Sequence, residues 1–223
     1  MALISETAGR EDNKSGYVRL FGHTHLGKLM SRVHATVIRS GNELERLLEH
    51  ATPQHLRVDL PDAIRRANNP ESKGLSVVFR PRLKMAPGRP NITGDVVVLN
   101  HDRKEVSIIE VKDGDTFDTK KASGERASLQ ASADQLHRET GYTPSIFFCS
   151  FNQDSKEAIV AGAKNRFTLA EVMTGRQLCG ILNIPFNSFV AKRRHEQATN
   201  VDYFLAQLCS MPDIAQRLRE TLR

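Results

Sequence analysis

Two strand-length apolar runs, Val96–Leu99 and Val106–Val111, lie six residues apart in the stretch "GDVVVLNHDRKEVSIIEVK" (Gly94–Lys112). Short runs of β-branched residues divided by polar turn residues specify a hairpin. So apolar a pair belongs in the interior of a sheet. Charged side chains are costly in such a place unless they are paired or bound to an ion. Yet Asp95 stands at the mouth of the first run, and Glu110 and Lys112 close the second.

Register brings these charges together. If His101–Lys104 is a four-residue connection, Asn100 pairs with Glu105 and Asp95 falls opposite Glu110. Directly opposed residues hold their Cβ atoms about 4.5–5.5 Å apart on one face. Two carboxylates at that separation repel, and a cation between them relieves the repulsion. Oxygen donors select a hard ion. Mg²⁺ takes one or two carboxylates and keeps its remaining positions for water and phosphate. The Val111 carbonyl is a candidate third donor. Lys112, two residues from Glu110, lies on the same strand face, where it can orient and activate a water and offset charge on a phosphate under attack. Such a site suits metal-assisted hydrolysis of a phosphodiester. The alternative is strand-end charges reaching solvent. The chain supplies a foil in "ESK" (Glu71–Lys73), preceded by Asp59 and Asp62, where a polar turn fixes nothing in place.

The remainder of the chain sets the frame. At 223 residues, 39% hydrophobic and 26% charged, it reads as one globular domain. No apolar run is long enough to span a bilayer, and the first residues lack the pattern of a signal peptide. Cys149, Cys179 and Cys209 form no CxxC pair, which fits reduced thiols in a cytoplasmic protein. The formal charge is +6. Its excess is clustered: "FRPRLKMAPGRP" holds Arg80, Arg82, Lys84 and Arg89 with no acid, and "AKRRH" follows at Ala191–His195. Clusters of this kind attract polyphosphate.

Helical periodicity is expected over Gly27–Leu48, broken at "RSGNELERLL", where Ser40 or Asn42 caps a new helix. A short helix is expected at Asp62–Ala67, a strand at Leu75–Arg82, a Pro- and Gly-rich loop, the hairpin, and a helix over Lys121–Glu139. "TPSIFFCSF" (Thr143–Phe151) reads as a buried strand. Thr168–Ile184 reads as a helix capped by Thr168, and Val201–Leu208 and Asp213–Leu222 read as terminal helices. The expected architecture is α/β, a central mixed sheet with helices on both faces, in one domain over 1–223. Its core spans about 30–150 and a helical part about 165–223.

"GDVVVLN…IIEVK", followed by a helix and an apolar strand, resembles the PD-(D/E)xK nuclease superfamily, and within it the type II restriction endonucleases. "RSGNELERLL" is similar to their Gly-x-x-(Leu/Phe)-Glu helix, whose acid approaches the metal. The resemblance implies Asp95 and Glu110 as Mg²⁺ ligands with Val111, Lys112 as the water-activating group, and Glu45 as an assisting acid, with Glu43 second. It further implies cleavage of double-stranded DNA at a short sequence, by a homodimer. Gly94 stands where the name-giving pattern has Pro. A repair or recombination nuclease shares the same core, and a basic DNA-binding protein without activity shares the charge.

Arg80, Arg82, Lys84, Arg89, Lys120, Lys121 and Arg126 flank the hairpin and are candidates for gripping DNA, without a division between base and phosphate contacts. Gln130 and Gln135 are candidate supports on the following helix. "FGHTHLGK" (His23, His25) resembles a His-x-His metal pair but has no partner ligand set, and reads as a polar loop. No phosphate-cradling glycine loop is present, so no nucleotide cofactor is expected.

Overall fold

A computed structural model describes residues 2–10, 15–81, 92–114 and 119–222, with the side chains of 42 and 119–122 left aside. In chain order it has α1 (Gly16–Phe21), α2 (Thr24–Ala51), α3 (Leu60–Ala67), β1 (Leu75–Phe79), β2 (Val96–Asn100), β3 (Glu105–Lys112), α4 (Thr119–Thr140), β4 (Thr143–Ser150), α5 (Lys156–Gly162), β5 (Val172–Thr174), α6 (Gly175–Ile181), α7 (Phe186–Cys209) and α8 (Pro212–Thr221). Two compact units result: Glu45–Phe186, and Met1–Leu44 with Asn187–Arg223.

The unit of Glu45–Phe186 is built on a five-stranded sheet in the order β1-β2-β3-β4-β5. The first three strands pair antiparallel. α4 then carries the chain back so that β4 lies parallel to β3, and β5 parallel to β4. Parallel neighbours need such a crossover. Val97 and Leu99 of β2, Val106 and Ile108 of β3, and Ile146 and Phe148 of β4 point into one core. Leu60 and Ala63 of α3, Leu129, Ala133 and Leu136 of α4, and Ile159 of α5 cover that core. Val96, Val98, Ile109 and Cys149, of opposite parity, are also buried. Both faces of the sheet are therefore covered, which is why its strands read as continuous apolar runs. Beyond β2, β1 is met on its other side by a short segment: the Val58 N–H donates to the Val77 carbonyl at 3.0 Å.

Several sequence expectations need correction. α2 runs unbroken from Thr24 to Ala51, so neither Ser40 nor Asn42 starts a new helix. Gly41 inside a helix costs about 1 kcal/mol relative to Ala. One stripe nonetheless continues through Leu29, Thr36, Leu44 and Leu48, all buried, and outweighs that cost. Thr168–Ile184 is not one helix: Val172–Thr174 pairs with Phe148–Ser150 as β5. The helix starts only after Thr174, whose hydroxyl accepts the Gln177 N–H while the Gln177 side chain accepts the Thr174 N–H. That reciprocal cap fixes the start of α6.

The second unit is helical. The Ser15 hydroxyl caps α1 by accepting the Val18 N–H at 3.2 Å. The chain turns at Gly22 into α2, and Gly27 lies so close to α1 that a Cβ there would stand 2.6 Å from the Val18 nitrogen. Asn200 of α7 accepts the Ile4 N–H at 2.8 Å and donates to the Ala2 carbonyl at 3.0 Å, tying the amino-terminal segment down.

Candidate active site

The hairpin has the register that the sequence implies. Asn100 pairs with Glu105 and Val96 with Ile109, so Asp95 lies one step beyond the last rung, opposite Glu110. The Asp95 N–H donates to the Ile109 carbonyl at 2.9 Å. Its carboxylate Oδ2 then accepts the Val111 N–H at 2.7 Å, as the next rung would. A strand residue directs its N–H and C=O toward the same neighbour, so the Val111 carbonyl faces the side on which Asp95 lies.

Gly94 explains why no proline precedes this aspartate. Its φ is +109°, and a Cβ there would stand 2.9 Å from the Ile108 Cγ2 methyl. Proline is locked near −65°. The backbone therefore threads Asp95 against β3 through a conformation that only glycine adopts comfortably.

Around Asp95 and Glu110 stand five more charged groups, Lys112, Glu125, Arg80, Glu49 and Glu45. Lys112 Nζ donates to Glu110 Oε1 and lies 3.2 Å from Glu125 Oε1 on α4. Arg80, at the end of β1, gives its N–H to the Asp95 carbonyl at 2.8 Å and its guanidinium to Glu49 on α2. Glu45, one turn before Glu49, is half-buried. The chain thus gathers Glu45, Asp95, Glu110 and Glu125 around Lys112.

Each of the three inner acids is held away from its ordinary protonation. Burial pushes the Asp95 carboxyl up to about 6, with Glu45 adding to the rise and the Val111 N–H opposing it. Burial also raises Glu110, and the Asp95 charge raises it further against the pull of Lys112. Burial raises Glu45 too, reinforced by Glu110 and opposed by Arg80. Burial alone lowers Lys112, but Glu110, Glu125 and Asp95 outweigh it and hold the ammonium above its ordinary range. Acids that resist ionisation beside one another, with one lysine between them, form a site short of positive charge. Among the described residues no three His, Cys, Asp or Glu side chains form a complete cage for an ion. Mg²⁺ needs no such cage, since it keeps waters and takes one or two carboxylates. Asp95, Glu110 and the Val111 carbonyl fit that donor set.

Other expected residues fall elsewhere. Arg126 pairs with Glu171 at 2.5 Å. Arg82, Lys84 and Arg89 lie outside the described residues, and Lys120 and Lys121 open α4 with side chains outside them. Gln130 donates to Asp134 at 2.9 Å on an exposed face. Gln135 is buried between Glu139 and Arg138, a structural bridge. Glu71 and Lys73 of the foil are exposed, as a polar turn implies. Glu125 and Glu49 were missed. Glu125 sits four residues before Leu129 and eight before Ala133, at the head of the buried stripe of α4, and an acid on such a stripe was the available signal.

No family model matches the chain, and no solved structure matches it. It is 36% identical over 225 aligned residues to the type II restriction enzyme HhaII of Haemophilus parahaemolyticus, with 99% of each chain covered.

Proposed function

This chain belongs to the type II restriction endonucleases, and from that premise we propose that it hydrolyses double-stranded DNA at a short specific sequence with Mg²⁺ at Asp95 and Glu110. The observation that carries the reading is the rung formed by Asp95 and Val111 opposite Glu110, with Lys112 tied to that glutamate. A divalent ion bound there would polarise the scissile phosphate and lower the pKa of a water.

The chain's own residues supply the rest. Asp95, Glu110 and the Val111 carbonyl would hold the ion, and the Val111 N–H fixes the orientation of the Asp95 carboxylate. Lys112, held protonated by Glu110 and Glu125, would orient the attacking water and offset charge growing on the phosphate oxygens. Glu45 would assist at the margin of the donor set, and the Arg80–Glu49 pair would brace the strand ends around it. Arg82, Lys84, Arg89, Lys120 and Lys121 would grip the duplex, while Arg80 and Arg126 are engaged by Glu49 and Glu171. A homodimer matching a palindromic site is the assembly we propose. No helix among the described residues is long and apolar enough to cross a membrane, consistent with a cytoplasmic place of action.

The test is digestion of unmethylated plasmid and phage DNA with Mg²⁺, followed by sequencing of fragment ends. Discrete bands with a common terminal sequence are expected, and cutting confined to branched DNA would overturn the reading. Lys112→Ala should bind duplex and fail to cut it. A Lys112→Ala protein that cuts at a near-normal rate would remove the roles assigned above.

A further inference from the structure

We propose that the helical unit carries a second anion site, a basic cavity of about 330 Å³ that takes a backbone phosphate of duplex DNA. The endonuclease reading enters only in the choice of that anion. The cavity is lined by Arg10, His23, His25, Lys28, Arg32 and Asp213, with a few neutral groups. His25, Lys28 and Arg32 are spaced three and four residues apart at the start of α2, so they form one stripe of one helix face. Arg10 joins them because its N–H donates to the Ser31 hydroxyl at 2.9 Å.

The histidine motif "GHTH" therefore has a place in the fold. His23 Nδ1 accepts the Leu26 N–H at 3.0 Å, which assigns the remaining proton to Nε2. That Nε2–H donates to Asp213, 3.1 Å from Oδ1 and 3.0 Å from Oδ2. Asp213 is the one acid among the described lining residues, and it is spent on His23. The Arg32 guanidinium donates to the Tyr203 hydroxyl, a neutral partner, and no carboxylate among the described residues pairs with it. Lys28 and the Arg10 guanidinium have no carboxylate partner among the described residues.

Gathering three full cations in one concavity costs the fold through self-repulsion. The positive end of the α2 dipole adds to the same field. Arginine matches phosphate oxygens with a planar fork, and lysine supplies a point charge. A phosphate oxygen pair is the group that satisfies both, and in a DNA-cutting enzyme the abundant source is the backbone.

The experiment compares wild type with Arg10→Gln/Lys28→Gln and with Lys28→Gln alone, each shown by thermal unfolding to be folded. A labelled duplex of random sequence is titrated with the metal chelated, between about 50 and 200 mM NaCl. Each phosphate neutralised contributes about 0.9 to the slope of log K against log salt. The double variant should therefore lose about 0.9 of slope, so that wild type drops about 3.5-fold further across the range. Lys28→Gln alone should lose half of that slope, and Arg10→Lys/Lys28→Arg should retain all of it. Coincident slopes would overturn the proposal. If inorganic phosphate at matched ionic strength protects wild type but not the variant, while duplex slopes coincide, the cavity serves free phosphate and the DNA site is wrong. Because this binding needs no cleavage, a wild type with the steeper slope but no cutting would sink the endonuclease reading and leave the phosphate site standing.

Discussion

Asp95→Asn should make the metal-free protein more stable while ending cleavage. The Asp95 carboxyl has its pKa raised from 3.8 to about 6, chiefly by burial. A carboxyl whose native pKa lies above its unfolded value costs stability at pH above both. At about 1.36 kcal/mol per pKa unit, the two units here amount to about 3 kcal/mol at pH 7.5. Asparagine keeps an acceptor for the Val111 N–H and carries no charge to bury, so it recovers most of that amount. For a chain of this size about 2–4 °C of melting temperature follows each kcal/mol, so the gain is roughly 6–12 °C. The cost fades as pH falls from about 6 toward 3.8, so the two proteins should converge by pH 4. The assay is calorimetric or denaturant unfolding in chelator, from pH 8 down to pH 4. Added Mg²⁺ should reverse the ranking, because a ligand bound only by the native wild type stabilises it by mass action. An asparagine variant no more stable than wild type at pH 7.5, or a difference that does not narrow on acidification, would refute the reasoning.

Gly94→Ala combines a left-handed backbone with a Cβ 2.9 Å from Ile108; it should lose about 2–4 kcal/mol in urea unfolding and cut poorly. An unchanged midpoint would show that Asp95 does not depend on this glycine. Glu125→Gln weakens a charge-assisted bond to Lys112 worth about 1.5–3 kcal/mol, so kcat should drop about 10- to 100-fold with KM little changed. A KM effect alone would place Glu125 in DNA binding instead. His101 is 4% exposed and bonded to Ser76 and Tyr142. Burial, helped by Arg66, lowers its pKa, so it supports the fold fully above its unfolded pKa near 6.5 and loses that support as pH falls through the lower native value. His101→Gln should show a shallower loss of stability between pH 7 and pH 5, measured by denaturant titration.

The parts legible in sequence are those where local pattern and tertiary demand agree. Val96–Leu99 and Val106–Val111 could only be buried strands, and a four-residue connection fixed their register, so the opposition of Asp95 and Glu110 followed without coordinates. α4 was visible from Leu129, Ala133 and Leu136. Where tertiary contacts overrode local signals, reading failed. Gly41 and Asn42 look like a break, yet the stripe from Leu29 to Leu48 carries the helix through. β5 is three residues long, too short for any alternation to show. Glu125 carried only a weak signal, an acid on the buried stripe of α4, because its meaning depends on a lysine from β3 reaching that helix. The basic cavity was equally hidden, since Arg10 and Asp213 come from opposite ends of the chain.

The margins of the sheet bear on how copies of this protein can associate. An open outer strand is a template for another chain. Here one margin is β5, only Val172–Thr174 long, and the other is β1, already engaged through Val77 by Arg57 and Val58. Neither offers a ladder worth extending. In the dimer proposed above, two protomers would therefore be expected to meet through side chains, not by extending either sheet.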